Sequence, residues 1–355
     1  MKYIGPGSIS MILLVTTCSL VFLLLTESCA PSTPGETGRF VTVKDHPSFR
    51  NDLLSHKISQ VVRVIFQDSR GVYWFGTQNG AYKLEEQTLV LIDQIVGERG
   101  NPVTIKDISE DIDGTIWLGH TDGLSSIKND TVKNYYESEG LIDNDVWCIE
   151  ADQYGRIWVG TIGGCCVLQN GKFIHIELPP GKRDTMVGVS SPRMVQDILE
   201  DDEGSIWVST NAGLFKFIDS SLTEYSFQEG LETPFVHTLF QSKDQKLWVA
   251  SRNGLYQIRG KAVTKITDPH FVTQKGIGSI AEDKEGKIWF VANQHDLYTY
   301  YNDTLTEINQ SEFGKGPVIF QIYKDDTDRL WFVGFGGAYR LEQDSFVHIT
   351  MEGPW

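Results

Sequence analysis

Basic residues are scarce in this chain: 31 Lys and Arg stand against 47 Asp and Glu, a formal charge of -16 over 355 residues. A surface of that sign repels phosphate backbones rather than displacing their counterions, which excludes nucleic acid as a partner. Long apolar stretches are also missing. The main one, Met11 to Leu25, is short for a comfortable bilayer crossing. There is no Gly-rich phosphate loop, no nucleophile elbow and no Cys-x-x-Cys pair, so the usual signs of phosphoryl transfer, acyl transfer and dithiol redox chemistry are absent. No cofactor and no metal centre are expected.

What is present begins with an address. Lys2, the apolar run and Thr26-Glu-Ser28 make residues 1–28 read as an export signal. The run Leu25-Thr-Glu-Ser-Cys29 resembles a bacterial lipoprotein box, which implies lipidation of Cys29. Residues 29–38 are rich in Pro, Gly and Thr and read as a flexible tether. The expected location is the cell envelope, membrane-anchored and facing the periplasm or the cell surface; a plain cleaved signal or an uncleaved anchor is the alternative. Only Cys148, Cys165 and Cys166 then remain, an odd number that cannot all pair within the chain. They read as small buried hydrophobes.

Residues 39–355 are dominated by a repeat. Trp74, Trp117, Trp158, Trp207, Trp248, Trp289 and Trp331 recur 41 to 49 residues apart. Asp lies six residues before most of them and Gly three before, as in Asp111, Gly114 and Trp117; Asp68, Gly71 and Trp74 form a weaker copy. A period near 42 with four strand-like runs per unit predicts an all-β, seven-bladed β-propeller of four-stranded antiparallel blades, as one domain and a monomer. In each unit, an apolar run such as Val146 to Asp152 is the first strand and the Trp lies on the second. The Asp and Gly between them predict a tight turn. Small residues two after the Trp, such as Gly76, Gly119 and Gly160, leave room for the indole or a close backbone. Arg39-Phe-Val-Thr-Val43 looks like a fourth strand, as does Ser345-Phe-Val-His-Ile349, so eight candidates compete for seven outer positions.

Asp152-Gln-Tyr-Gly-Arg-Ile-Trp-Val-Gly-Thr161 follows the pattern D-x-x-G-x-I-W-V-G-T-x-x-G-L, and Glu-Gly-Leu precedes new blades at 139–141 and 229–231. In this the chain resembles the two-component regulator propeller repeat family. The resemblance implies a periplasmic, sensor-type propeller that recognises a ligand, and no kinase segment follows the last repeat.

Propeller ligands usually sit at the channel mouth, among the loops between blades and between second and third strands. Those loops would bring His120, Asp122, Arg252 and His295 to one rim, with Asn79, Asn211 and Asn253; the long connection Leu178 to Arg193 would add Arg193. First-strand positions add Arg63, Lys106, Trp147, Gln196 and His237. Trp147 lies outside the repeating Trp register and suits stacking on a sugar. Asp107 and Asp197 share one register position and are expected at the channel, with water between them. The expected partner is a small ligand such as an oligosaccharide, or an envelope protein. A propeller lyase using a His base and a metal, and a protein-docking scaffold, are the alternatives.

Overall fold

A computed structural model describes residues 41–42, 57–218, 221–225, 230–260, 262–266, 271, 273, 275–308, 318–343 and 345–355. Residues 1–28, Cys29 and the tether lie outside the described residues. Seven antiparallel sheets form the blades, each running from an innermost first strand to an outermost fourth strand. The innermost strands are Val62–Gln67, Ile105–Glu110, Val146–Ala151, Val195–Glu200, Val236–Gln241, Ile277–Glu282 and Val318–Lys324, which define blades 1 to 7. Blade 3 continues through Ile157–Thr161, Cys165–Gln169 and Lys172–Ile176, and the other blades repeat this plan.

The Asp of each repeat holds two things at once. In blade 3, Asp152 Oδ1 accepts the amides of Tyr154 and Arg156, fixing the turn, while Oδ2 accepts Trp158 Nε1 at 2.9 Å. The same arrangement recurs at Asp68, Asp111, Asp201, Asp283 and Asp325 with their tryptophans. Six residues is therefore the distance from a turn carboxylate to an indole lying over its own hairpin. Blade 5 keeps the indole bond with Ser242 Oγ at 3.1 Å, and Gln245 (φ 64°) takes the place of the turn Gly.

Each Trp then packs against the next blade. Trp74 lies with Ile105, Ile108 and Leu118 of blade 2, and Trp158 with Val195, Ile198 and Val208 of blade 4. Gly76 and Gly160 make room for their own blade's innermost strand and for the next blade rather than for the indole: a Cβ on Gly76 would lie 2.4 Å from Val64 Cγ1 and 2.7 Å from Ile105 Cγ2, and one on Gly160 2.3 Å from Cys148 Sγ and 2.6 Å from Val195 Cγ1. Cys148, Cys165 and Cys166 are buried and unpaired.

Val41–Thr42, the described part of the first terminal candidate, and Ser345–Ile349 both form strands, and the ring closes without sharing either. Blade 7 completes itself with Ser345–Ile349, blade 1 has its own fourth strand at Thr88–Leu91, and Val41–Thr42 adds to blade 1 as a fifth. Closure comes from side chains and packing. Trp331, Val333 and Ile349 pack on Val62, Ile65 and Phe75; Tyr73 donates to Asp325 at 2.7 Å; Gln321 and Tyr323 accept the amides of Ile65 and Gln67.

Candidate functional site

Every innermost strand carries a β-bulge at the same place. In blade 1, Val62 pairs with Thr77 and Val64 with Gly76, which leaves Arg63 as the extra residue. The equivalent residues are Lys106, Trp147, Gln196, His237, Gly278 and Phe320. A bulge bends its strand and re-aims the extra side chain. Five of these residues, Arg63, Lys106, Trp147, Gln196 and Phe320, line one cavity of about 560 Å³ at the centre of the ring, together with Gly278 and the residues just below.

At the bulge positions two cations and two aromatic rings meet. Lys106 Nζ lies 3.7 Å from the Trp147 ring centre and pairs with Asp145, whose other oxygen accepts Trp147 Nε1 at 3.1 Å. Burial lowers the Lys106 pKa to about 8 against the pull of Asp145. Arg63 stands over Phe320, 4.8 Å from the ring centre.

The tier below seals the inner edge of the sheets. An innermost strand has no neighbour on its channel side, so its inward amides need other acceptors. Asp107 accepts the amide of Ile108 in its own strand and that of Ile149 in the next blade, at 2.9 and 2.8 Å. Asp197 does the same for Ile198 and Leu239. Ser279 takes the amide of Ile322, and Gln321 that of Ile65. Asp107 and Asp197 line the channel, as expected, and each stitches its own blade to the next. Burial raises their pKa values to about 7 and about 8, against the amide bonds. Among the described residues, no group of three or more His, Cys, Asp or Glu is placed to hold a metal.

The other candidates do not join this cavity. His120 is fully buried: it occupies the position of Thr77, Thr161 and Thr210 in other blades, accepts the Asp122 amide on Nδ1 and meets Ser125 Oγ at 3.0 Å on Nε2. Ser125 passes the chain of bonds to Asn134 Oδ1. Burial and Lys106 lower the His120 pKa to about 3, so it is a neutral structural residue rather than a rim group. Its neighbour Asp122 is half-buried. His237 and Arg252 turn instead to the long connection. Asp184 of that segment is buried, paired with Arg252 and 4.0 Å from His237 Nε2. Burial lowers the His237 pKa to about 4. Asn211 pins the same segment through Ser190 Oγ and Ser191 O, at 2.8 and 2.7 Å. Arg193 and His295 are exposed, Arg193 on the connection and His295 on a blade 6 turn.

Phe320, Asp145, Gln321 and Asp184 escaped the sequence reading. For Phe320 the signal was available, since it holds the same register position as Arg63 and Trp147. Asp184 had none, because only folding brings it to blade 5.

The family described as two component regulator propeller matches residues 56–79, 140–163 and 188–212. Each match runs up to and through an innermost strand, its turn and the Trp strand. No curated protein matches the sequence. Among solved structures, the extracellular domain of a hybrid two component system from B. thetaiotaomicron is 20% identical, with TM-score 0.63 over 79% of this chain and 38% of that one. The chain therefore spans well under half the length of that relative. Virginiamycin B lyase from Staphylococcus aureus is 16% identical, with TM-score 0.61 over 79% of this chain and 93% of the lyase. A GH74 enzyme from Niastella koreensis is 13% identical, with TM-score 0.60 over 81% and 53%. At these identities the likeness is one of fold.

Proposed function

We propose that this chain, which belongs to the two component regulator propeller family, is an exported, sensor-like recognition module that takes a small ligand, an oligosaccharide foremost, in its central channel. The observation that carries this reading is the cavity of about 560 Å³ where Trp147, Phe320, Arg63, Lys106 and Gln196 converge from five blades. Its size and its mixture of aromatic faces with a few polar groups are those of a small-ligand site. The three histidines expected to serve a lyase stand in blades 2, 5 and 6, one fully buried and one facing Asp184 at 4.0 Å, which favours binding over His-based turnover.

Export is supported by the signal-like residues 1–28 and by the likeness to an extracellular domain. Lipidation at Cys29 would hold the propeller at a membrane by acyl chains, and an envelope protein remains the alternative occupant of the channel face. A ligand selective for the native state raises its melting temperature. Thermal-shift screening of the purified chain against soluble oligosaccharides is expected to give a concentration-dependent rise in Tm that Trp147→Ala abolishes. A rise that Trp147→Ala leaves intact would place recognition elsewhere and overturn the channel reading.

A further inference from the structure

One cation at the bulge positions of the channel has no ion-pair partner among the described residues. Arg63 projects from the blade 1 bulge into the cavity, its Nε is buried with no hydrogen-bond partner, and no ion pair joins it to another described residue. Asp145, the acid that acts on it most, is already shared between Lys106 and Trp147. The remaining acids that line the cavity are committed to backbone amides: Asp107 to Ile108 and Ile149, Asp197 to Ile198 and Leu239, and Glu282 to Lys243. Burial also raises the Asp107 and Asp197 pKa values to about 7 and about 8, which weakens them further as counter-ions.

A half-buried guanidinium whose Nε lacks a partner costs the fold desolvation energy, and its planar fork matches a carboxylate. An Arg over a ring, beside a second aromatic on the same tier of bulges, therefore has the shape of half a binding pair. The chain as a whole carries a charge of -16, so the cationic tier is a local feature and not a reflection of composition.

We propose that the cavity takes a ring-bearing carboxylate, its acid group on Arg63 and its ring against Trp147 and Phe320. This rests on the channel reading above and narrows it from a small ligand to an acidic one. A sugar acid and an aromatic acid share that chemistry.

Two matched pairs of probes distinguish them: glucuronate against glucose, and benzoate against benzamide. Calorimetric titration of the purified chain is expected to show binding of the acid member of at least one pair and little of its neutral partner. Arg63→Met is expected to weaken that binding by about 10- to 100-fold, the worth of a charge-assisted hydrogen bond. The same substitution is expected to raise the Tm of the ligand-free protein, because it removes a partly desolvated charge that has no ion-pair partner. Arg63→Lys keeps the charge without the fork and is expected to fall between the two.

Equal binding of acid and neutral members, or acid binding that survives Arg63→Met, overturns the proposal. So does a ligand-free Arg63→Met protein less stable than wild type, which would make the guanidinium structural. Neutral ligands lost on Trp147→Ala but indifferent to Arg63→Met would remove the acidic ligand and leave the channel reading standing. No binding of any probe, together with an oligosaccharide screen blind to Trp147→Ala, would remove both.

Discussion

At the residue scale, carboxylates do opposite electrostatic work in two places. Asp107, Asp197 and Glu150 sit on the innermost strands, where burial raises their pKa values to about 7, 8 and 8. An unfolded carboxyl titrates near pH ~4, so the stability these groups contribute is complete below that pH and is lost as pH rises through about 7 to 8. The turn carboxylates run the other way. Burial pushes Asp68, Asp201 and Asp325 up, but bonds from indole, amide and cationic partners reverse it and hold them below the usual range. Their contribution is present above pH ~4 and is lost as pH falls further. Tm measured against pH is therefore expected to peak in the mildly acidic range and decline from pH ~5 to ~8.5. Asp197→Asn should flatten the alkaline decline. A wild-type Tm that climbs over that interval would contradict the assignment.

At the element scale, the repeat was legible in detail and the bulge was not. Asp and Gly at fixed offsets from a Trp specify a hairpin, because a carboxylate bonds the turn amides and Gly accepts positive φ; Gly155, at φ 74°, does so in blade 3. The bulge leaves no mark in hydrophobic alternation, since the innermost strand is apolar at both parities and covered on both sides. That is why Arg63, Lys106, Trp147, Gln196 and His237 could be placed on first strands, while His237 turned to Asp184 and Phe320 went unnoticed. The glycines after the Trp carry a sharper expectation. Gly160→Ala would put a Cβ 2.3 Å from Cys148 Sγ and 2.6 Å from Val195 Cγ1. A chemical-denaturation measurement should show a loss of about 1–3 kcal/mol from that overpacking. Gly171→Ala, whose Cβ would meet nothing within 4 Å, keeps only the backbone strain of φ 73° and should cost less.

At the scale of the whole molecule, closure depends on one interface among seven. Blades 7 and 1 hold each other through Trp331 packed on Tyr73, through Tyr73 bonded to Asp325, and through Gln321 and Tyr323 capping amides of blade 1. Replacing Trp331, which is fully buried in that cluster, removes packing on both blades. Trp331→Ala is expected to lower the unfolding free energy by about 3–5 kcal/mol, as large core truncations do. Removing the segment through Val41–Thr42 should cost about 1 kcal/mol or less, because blade 1 already has its fourth strand. Equilibrium denaturation of the two variants side by side tests this, and a larger loss from the truncation would show that the added strand shares in closure.

The sequence by itself determined the number of blades, the order of strands within each and the place of the seven repeat Trp, because those follow from local turn chemistry repeated at a fixed period. It also put Arg63, Lys106 and Trp147 on strands that reach the channel. Only the tertiary structure decided which side chains meet in the cavity, which amides Asp107 and Asp197 satisfy and where Asp184 docks. Those outcomes depend on residues some 40 or more positions apart being brought together by ring closure, and no local pattern encodes them.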